Sequence, residues 1–254
     1  MIGIGIAGIA GRMGHLLAAQ VRTTPGATLT GGIDRAPAAN AERMLPDIAA
    51  LAAASDVVID FTHAGAVRAH AEALTAANTA WVLGTTGLDS EGQEAVRVAA
   101  RAIPVMQAAN YSPGVALVIA LAERLGAALP ASDYDAEILE THHRQKVDAP
   151  SGTALAIGEA VARGRGHALA GAMESGRHGQ TGPRQPGAIG FASLRAGQVV
   201  GEHTLLFASA SEQITLQHQA LDRGAFAAGA IRAAVWLHGR PAGLYGMPDV
   251  LGLR

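Results

Sequence analysis

Hydrophobic positions in the first part of the chain follow two periods in turn. Short, almost wholly apolar runs such as VVIDF and WVLGT alternate with longer segments whose apolar residues recur at helical spacing. Strands that helices bury on both faces have this composition, so the pattern predicts an α/β fold with a doubly wound parallel sheet. The predicted strands are 2–7, 27–33, 56–61, 80–84 and 103–107, and the predicted helices are 12–22, 65–77 and 90–101.

The pattern changes after residue 112. It predicts a long apolar helix, a strand, and a second helix that starts at Ser151, a good N-cap residue. A stretch rich in Gly, Pro, Arg and His follows, which indicates a mobile loop, and then three β-like runs favour a mixed, largely antiparallel sheet. We therefore predict a domain 1–112, completed by the C-terminal segment 224–254, and a second α/β domain 113–223. The predicted elements are helix 113–127, strand 134–140, loop 174–187, strands 188–195, 199–208 and 213–219, and helix 224–237.

Composition excludes several classes of function. A net charge of −2 and 4% aromatic residues give no footprint for nucleic acid. Without cysteine there is neither a disulfide framework nor a thiolate metal site, which fits a reducing compartment. The opening MIGIGIAGIAG reads as a strand and a turn, and we see no apolar run of about 18 residues. We expect a cytoplasmic protein with neither a nucleic-acid nor a membrane partner.

A glycine-rich turn, GIAGRMG, joins the first predicted strand to the first predicted helix. Free backbone N–H groups and the positive end of a helix dipole favour a pyrophosphate there, which points to a dinucleotide. Asp34 ends the second strand, where a carboxylate accepts hydrogen bonds from ribose hydroxyls, and Arg35 could pair with a 2′-phosphate. Both NADH and NADPH therefore stay possible. The alternative is that the glycines only make a tight turn and that Asp34 caps a loop.

Two later strand ends carry small or polar residues suited to the nicotinamide end of the same cofactor. They are GTTG at 84–87 and AANY at 108–111, and both follow parallel strands at their carboxyl ends. Each could also be an ordinary turn. The predicted cofactor contacts are Gly8, Ile9, Ala10, Gly11, Arg12, Met13, Asp34, Arg35, Gly84, Thr85, Thr86, Ala108, Ala109, Asn110 and Tyr111.

The stretch ETHHRQKVDAPSGTA at 140–154 contains Lys146, the only lysine of the chain. In an extended segment, alternation would place His142 and Lys146 on one side with Arg144, and His143 on the other. The helix start that follows offers N–H groups and hydroxyls to an anion. This pocket, with Ser151, Gly152 and Thr153 at the helix start, suits a substrate with more than one carboxylate. Since a nicotinamide supplies only the hydride, the protein must also supply protons there.

The stretch could also carry other chemistry. Adjacent histidines point apart in an extended chain and lysine is a poor ligand, which disfavours a metal, so we predict none. Lys146 could form a Schiff base if burial lowered its pKa. The stretch could also be a solvated basic turn.

Seven segments together resemble dihydrodipicolinate reductases, nearly end to end. They are GIAGRMG at 8–14, VVIDFT at 57–62, GTTG at 84–87, AANYSPGV at 108–115, ETHHRQKVDAPSGTA at 140–154, SLRAGQVVGEHTLLF at 193–207 and RGAFAAGAIRAAVW at 223–236. The resemblance implies a Rossmann-like dinucleotide-binding domain and a second domain that binds substrate and assembles a homotetramer. It also implies reduction of 4-hydroxy-tetrahydrodipicolinate by NADH or NADPH in lysine and diaminopimelate biosynthesis.

The same resemblance implies roles for individual residues. His142 would be the proton donor and acceptor, Lys146 a proton donor that also faces a carboxylate, and His143, Gly152 and Thr153 would bind the substrate. The segment between Arg35 and Ser55 is shorter than the usual family pattern, which implies a more open adenine end. Two other functions remain open at this point. One is another imine or amino-acid dehydrogenase, such as one acting on aspartate, and the other is a dinucleotide-binding sensor without catalysis.

Overall fold

The computed structural model describes residues 1–35 and 43–253, which form two compact units. Unit 1 comprises Met1–Pro113 and Arg223–Arg254, and unit 2 comprises Gly114–Asp222. In chain order the helices and strands are β1 (Ile2–Ala7), α1 (Arg12–Thr23), β2 (Ala27–Ile33), α2 (Ile48–Ala53), β3 (Val57–Asp60), α3 (Val67–Ala76), β4 (Ala80–Leu83), α4 (Ser90–Ala99), β5 (Pro104–Gln107), α5 (Pro113–Ala128), β6 (Asp135–His142), α6 (Gly152–Gly164), β7 (Met173–Ser175), β8 (Ile189–Arg195), β9 (Gly201–Ala208), β10 (Gln213–Ala220), α7 (Gly224–Leu237), β11 (Gly243–Tyr245) and α8 (Met247–Leu251).

Unit 1 is built on a six-stranded sheet in the order β11-β5-β4-β3-β1-β2, and every pairing in it is parallel. The residues of β3 and β4 are all buried, as their apolar runs predict for strands with helices on both faces. The doubly wound parallel sheet predicted from the sequence is thereby confirmed. Its carboxyl edge, where β1 to β5 end, is the edge at which such sheets bind ligands.

The helix α7 lies very close to the backbone that follows β5. A Cβ atom on Gly229 would lie 1.8 Å from the carbonyl oxygen of Tyr111, so only glycine permits this approach. The helix therefore packs within unit 1 although more than a hundred residues of chain separate it from β5. The C-terminal segment also supplies β11, which extends the parallel sheet beyond β5.

Unit 2 has a five-stranded mixed sheet in the order β10-β9-β6-β8-β7. The two pairings of β9 are antiparallel, whereas β8 runs parallel to both β6 and β7. Side chains of β6 alternate strictly, and Ala136 and Ile138 face a core shared with α5 and α6. The opposite face carries Leu139 and Leu194, which are 40% and 52% exposed. A mixed sheet agrees with the sequence prediction.

Around His142 the local prediction was wrong. The strand 134–140 extends to His142, and a turn at Arg144–Gln145 then replaces the expected extended segment. The short strands β7 and β11 and the short helices α2 and α8 were not predicted. The described helices include none long and apolar enough to cross a membrane.

Candidate functional site

A cavity of about 370 Å³ lies in unit 1, beside the residues that follow β1, β2 and β3. Four of the predicted cofactor contacts line it, namely Gly8, Gly11, Asp34 and Arg35. The other residues that line the cavity were not predicted as cofactor contacts, although Phe61 and Thr62 lie in the VVIDFT motif. The remaining lining residues are Ile33, Pro46, Asp47, Phe61, Thr62, His63, Ala66 and His70.

The glycine-rich turn leaves no room for side chains at two positions. Gly8 has φ +86°, and a Cβ atom there would lie 2.9 Å from the carbonyl oxygen of Phe61. A Cβ on Gly14 would lie 2.2 Å from the carbonyl oxygen of Gly8, so α1 starts directly against the turn. Gly11 is the N-cap of α1 and offers no side-chain cap to its first turn. Tight turning and close helix packing are what dinucleotide sites require of these glycines.

The carboxylate of Asp34 stands at the end of β2, in the cavity wall. One oxygen accepts a hydrogen bond from the Ala10 N–H at 3.0 Å, and the other accepts one from the Arg35 N–H at 2.7 Å. Ala10 thus binds Asp34 through its backbone. Each carboxylate oxygen keeps a further lone pair with which to accept a hydroxyl.

The loops after β4 and β5 lie further along the same edge of the sheet. The Phe61 ring occupies the space beside Gly84, 2.4 Å from where a Cβ would be. Thr85 is 7% exposed, and its hydroxyl has no hydrogen-bond partner among the residues that the structure describes. Tyr111 donates instead to the carbonyl oxygens of Leu83 and Met106, and burial raises its pKa well above the usual range. Contact from Tyr111 to a cofactor would therefore come from its main chain.

These features fit a bound dinucleotide. The turn after β1 has the glycines at the positions of close approach, and Asp34 presents a carboxylate. Thr85 has a buried hydroxyl that lacks a partner within residues 1–35 and 43–253. The predicted contacts Ile9, Arg12 and Met13 lie in or beside this turn, and Thr86, Ala108, Ala109 and Asn110 follow β4 or β5.

Unit 2 contains a second centre, built around the carboxylate of Glu140 on β6. Glu140 is 1% exposed, and Arg195 at the end of β8 grips its two oxygens at 2.8 and 2.9 Å. The Nδ1 atom of His142 lies 2.5 Å from one oxygen, and the backbone N–H of Ser151 donates to the other at 3.2 Å. One buried carboxylate therefore connects β6, β8 and the start of α6.

These contacts set the protonation states at the centre. Burial disfavours the charge on Glu140, but hydrogen bonds from Arg195, Ser193 and His142 outweigh burial and lower its pKa to about 2. Burial lowers the pKa of His142 below its ordinary value, and the positive charges of Lys146 and Arg195 act in the same direction against the raising effect of Glu140. At neutral pH the pair is an ionised carboxylate beside a neutral imidazole.

Lys146 follows the turn at Arg144–Gln145, and its backbone N–H bonds to the carbonyl of His143 at 3.1 Å. Its ammonium, with the side chain 20% exposed, meets both oxygens of Asp148 at 2.8 and 2.9 Å, and this contact lowers the pKa of Asp148. The predicted alternation of His142, Arg144 and Lys146 on one strand face was wrong because the strand ends at His142. The turn nevertheless brings the Lys146 charge close enough to lower the pKa of His142.

Helix α6 starts beside the same centre. Ser151 is its N-cap, and the hydroxyl oxygen accepts a hydrogen bond from the Ala154 N–H at 3.2 Å. The backbone N–H and the hydroxyl group of Ser151 are thus both hydrogen-bonded within the protein. A Cβ on Gly152 would meet no atom within 4 Å, so there is open space at the first helical residue, next to Thr153. His143 adds a buried Nδ1 atom that has no partner among the described residues.

His203 on β9 completes the centre and was not assigned from the sequence. Its Nε2 lies 3.0 Å from the Ser151 hydroxyl, and its ring meets that of His142 edge-on with centroids 5.1 Å apart. Burial, followed by the nearby His142, lowers the pKa of His203 to about 4. Within the described residues, no three His, Asp or Glu side chains are grouped as metal ligands would be.

Comparison with known proteins identifies the family. Residues 2–111 match the family described as "Dihydrodipicolinate reductase, N-terminus", and residues 114–251 match "Dihydrodipicolinate reductase, C-terminus". The chain belongs to the dihydrodipicolinate reductase family.

Individual members of this reductase family match over almost the whole chain. The 4-hydroxy-tetrahydrodipicolinate reductases of Gluconacetobacter diazotrophicus and Acidiphilium cryptum are 62% and 64% identical over 250 residues, covering 98% of this chain and 97% of each relative. The structure of dipicolinate-bound dihydrodipicolinate reductase from Paenisporosarcina sp. TG-14 superposes with a TM-score of 0.79 at 25% identity, covering 98% of this chain and 99% of that one. Membership of the family makes the chain an oxidoreductase that binds a pyridine dinucleotide.

Two signals in the sequence could have found the residues that were missed. Glu140 stands two positions before His142 in a strand, and a period of two places both on one face. Arg195 and His203 lie in SLRAGQVVGEHTLLF, a segment noted for this reductase family but not assigned a role. Their convergence on Glu140 follows from strand pairing, which brings His142 opposite Arg195 and Glu140 opposite His203.

We expect His203 to make the protein sensitive to mild acid. Its pKa is about 4 in the fold and about 6.5 when unfolded, so between these pH values only the unfolded chain gains a proton. Stability contributed by the neutral ring is complete above pH 6.5 and is lost as the pH falls to 4, by up to about 3 kcal/mol. Urea unfolding at several pH values should show a shallower loss for His203→Gln. Parallel curves for both proteins would contradict this assignment.

Proposed function

We propose that this chain reduces 4-hydroxy-tetrahydrodipicolinate to tetrahydrodipicolinate with NADH or NADPH, with loss of water, in lysine and diaminopimelate biosynthesis. The observation that carries the proposal is the centre in unit 2, where His142, Lys146 and an open helix start lie together. Family membership and the dinucleotide features of unit 1 support it.

The two domains have different functions. Residues 1–112 with 224–254 bind the dinucleotide, and residues 113–223 bind the substrate and carry the subunit contacts. Reduced nicotinamide supplies a hydride when it is bound. Gly8 to Met13, Asp34, Arg35, Gly84 to Thr86 and Ala108 to Tyr111 hold that cofactor, while the protein must supply the proton and orient the substrate.

The start of α6 holds one carboxylate of the substrate. There is open space beside Gly152, the first residue of the helix, with Thr153 next to it, and an anion is favoured at a helix N-terminus. The Nδ1 of His143, which has no partner in the described part of the chain, is a further polar contact, and Ser151 acts by fixing where the helix begins. A related enzyme was determined with dipicolinate, a dicarboxylate, bound to it, which agrees with a site for two carboxylates.

Proton transfer falls to His142 and Lys146. The lowered pKa of His142 leaves its imidazole neutral at pH 7, so the ring is better placed to accept a proton than to give one. The ammonium of Lys146 carries a proton in the resting protein, paired with Asp148, and its second role is to face a substrate carboxylate. Arginine at this position would keep the charge but could not release the proton.

Lys146→Arg is therefore expected to lower kcat strongly. The assay follows NADH or NADPH consumption with substrate made fresh from aspartate semialdehyde, pyruvate and the preceding synthase. Loss of a general acid costs about 10²-fold or more, and His142→Ala is expected to fall in the same range. Arg144→Lys is the matched control, because Arg144 is exposed in the same turn and should keep its activity. Full activity in both site variants would refute these roles, and no turnover by the wild type with either cofactor would refute the reaction.

Use of both nicotinamides is proposed from Asp34 and Arg35. Asp34 would accept hydrogen bonds from the ribose hydroxyls of NADH, and Arg35, which lines the same cavity, would pair with the 2′-phosphate of NADPH.

Arg35→Ala should raise KM for NADPH by about tenfold, since a charge-assisted hydrogen bond is worth roughly 1.5 kcal/mol or more. KM for NADH, measured on the same variant, is the internal control and should change little. An equal rise in KM for NADH and NADPH would show that Arg35 does not bind the 2′-phosphate.

Assembly into a homotetramer is proposed through the open face of the unit 2 sheet. Leu139 and Leu194 are exposed on this face, opposite to the helices α5 and α6. Exposed apolar side chains grouped on one face indicate a protein contact surface.

The cytoplasmic location, which rests on the absence of cysteine, also stays a prediction from the sequence.

Leu139→Lys is expected to dissociate the tetramer because it brings like charges together across a symmetric interface. Light scattering coupled to size exclusion measures the mass directly. Leu221→Lys is the control, since Leu221 is 82% exposed just beyond β10 and outside the proposed face. An unchanged mass for Leu139→Lys would exclude this face as the contact.

A further inference from the structure

The buried carboxylate of Glu140 joins the groups to which the proposed chemistry is assigned. It contacts His142 on its own strand, the backbone N–H of Ser151 at the start of α6, and Arg195 at the end of β8. These groups donate four hydrogen bonds to the carboxylate, and Ser193 on β8 donates a further one. The buried charge is thus satisfied by groups on three elements of unit 2.

The contacts dictate which nitrogen of His142 carries the hydrogen. An ionised carboxylate can only accept hydrogen bonds, so Nδ1, at 2.5 Å from Glu140, must be the donor. In the neutral ring Nε2 then keeps its lone pair. A Cβ on Gly201 would lie 3.0 Å from that Nε2, so the absence of a side chain at Gly201 keeps this nitrogen approachable.

Arg195 limits the influence of the carboxylate on the ring. A carboxylate alone beside His142 would favour the imidazolium form, but the bidentate guanidinium at 2.8 and 2.9 Å balances the negative charge. The other groups that face His142 are Lys146 in the following loop and His203 on β9.

We propose that Glu140 is a positioning residue for the reduction. Held by Arg195, its carboxylate fixes the Nδ1–H tautomer of His142 and ties that ring to the first turn of α6. His142 therefore meets the substrate with an unprotonated Nε2, and Lys146 is the proton source of the resting protein. The catalytic consequence rests on the proposed function, whereas the tautomer does not.

The test begins with the wild-type protein labelled with ¹⁵N-histidine, with His142 assigned through His142→Asn. The imidazole ¹⁵N shifts at pH 7 should report the Nδ1–H tautomer. In Glu140→Gln the amide NH₂ faces His142 or competes with Arg195, so the Nδ1–H form should no longer dominate. Glu137→Gln is the matched control, because Glu137 lies on the same strand, faces the other side of the sheet and has its own bidentate arginine, Arg177. It should leave the tautomer unchanged.

Two variants, Glu140→Gln and Arg195→Gln, distinguish a positioning role of Glu140 from a merely structural one. Titration of His142 by NMR should show a lower pKa in Glu140→Gln and a higher pKa in Arg195→Gln, since the charges removed have opposite signs. The kcat of Glu140→Gln should fall about 10²-fold, with KM changed less than about threefold because the amide oxygen still accepts the Ser151 N–H.

The outcomes are distinct. An Nε2–H tautomer or an imidazolium in the wild type at pH 7 overturns the inference, even if no variant folds. Shifts of the same sign in the two variants also overturn it. If the tautomer is found as expected but the wild type shows no turnover with either nicotinamide, the positioning stands and the proposed function fails. If the wild type turns over but His142 does not show the Nδ1–H tautomer, the proposed function stands and the positioning role of Glu140 fails.

Discussion

Unit 2 depends on a negative charge that has been taken out of water. Burying a carboxylate costs several kcal/mol unless its oxygens are fully hydrogen-bonded, and removing one partner leaves the charge uncompensated. Glu140 meets this requirement only when β6, β8 and the start of α6 are in register. The electrostatic requirement of one side chain therefore specifies the relative positions of the elements that carry the acid and base groups.

The same strand contains a second carboxylate–arginine centre that faces the opposite way. Glu137 binds Arg177 and Arg184, which belong to the glycine-rich stretch after β7. Its carboxylate lies flat over β8, where a Cβ on Gly190 would be 1.9 Å from an oxygen. Arg184 is also bound to Asp135, so the stretch is tied to β6 by ion pairs. Because side chains alternate along β6, Glu140 lies on the face with His142, whereas Glu137 lies on the opposite face and binds the glycine-rich stretch.

Local patterns predicted most of the fold, and long-range pairing accounts for most of what was missed. Five of the six strands in unit 1 were found from apolar runs, but β11 has only three residues and is defined by its pairing with β5. The β8 and β9 strands are consecutive in sequence, yet β6 lies between them because α6 connects β6 to the parallel side of the sheet. At the site, His142, Lys146 and the N-cap Ser151 could be chosen by residue type and spacing. The period of two along β6 also marks Glu140 as a neighbour of His142, but its contacts with Arg195 and His203 follow only from the pairing of three strands.

The chain leaves unit 1 after Pro113 and returns to it at Arg223, and this path has a consequence for biosynthesis. A growing polypeptide contains all of unit 2 before α7 and β11 have been made. Unit 2 draws its core from contiguous residues, whereas unit 1 must wait with the β5 edge unpaired and the Tyr111 backbone uncovered. An unpaired strand edge is prone to pairing with other chains. The order of synthesis thus leaves the nucleotide-binding half the last to close.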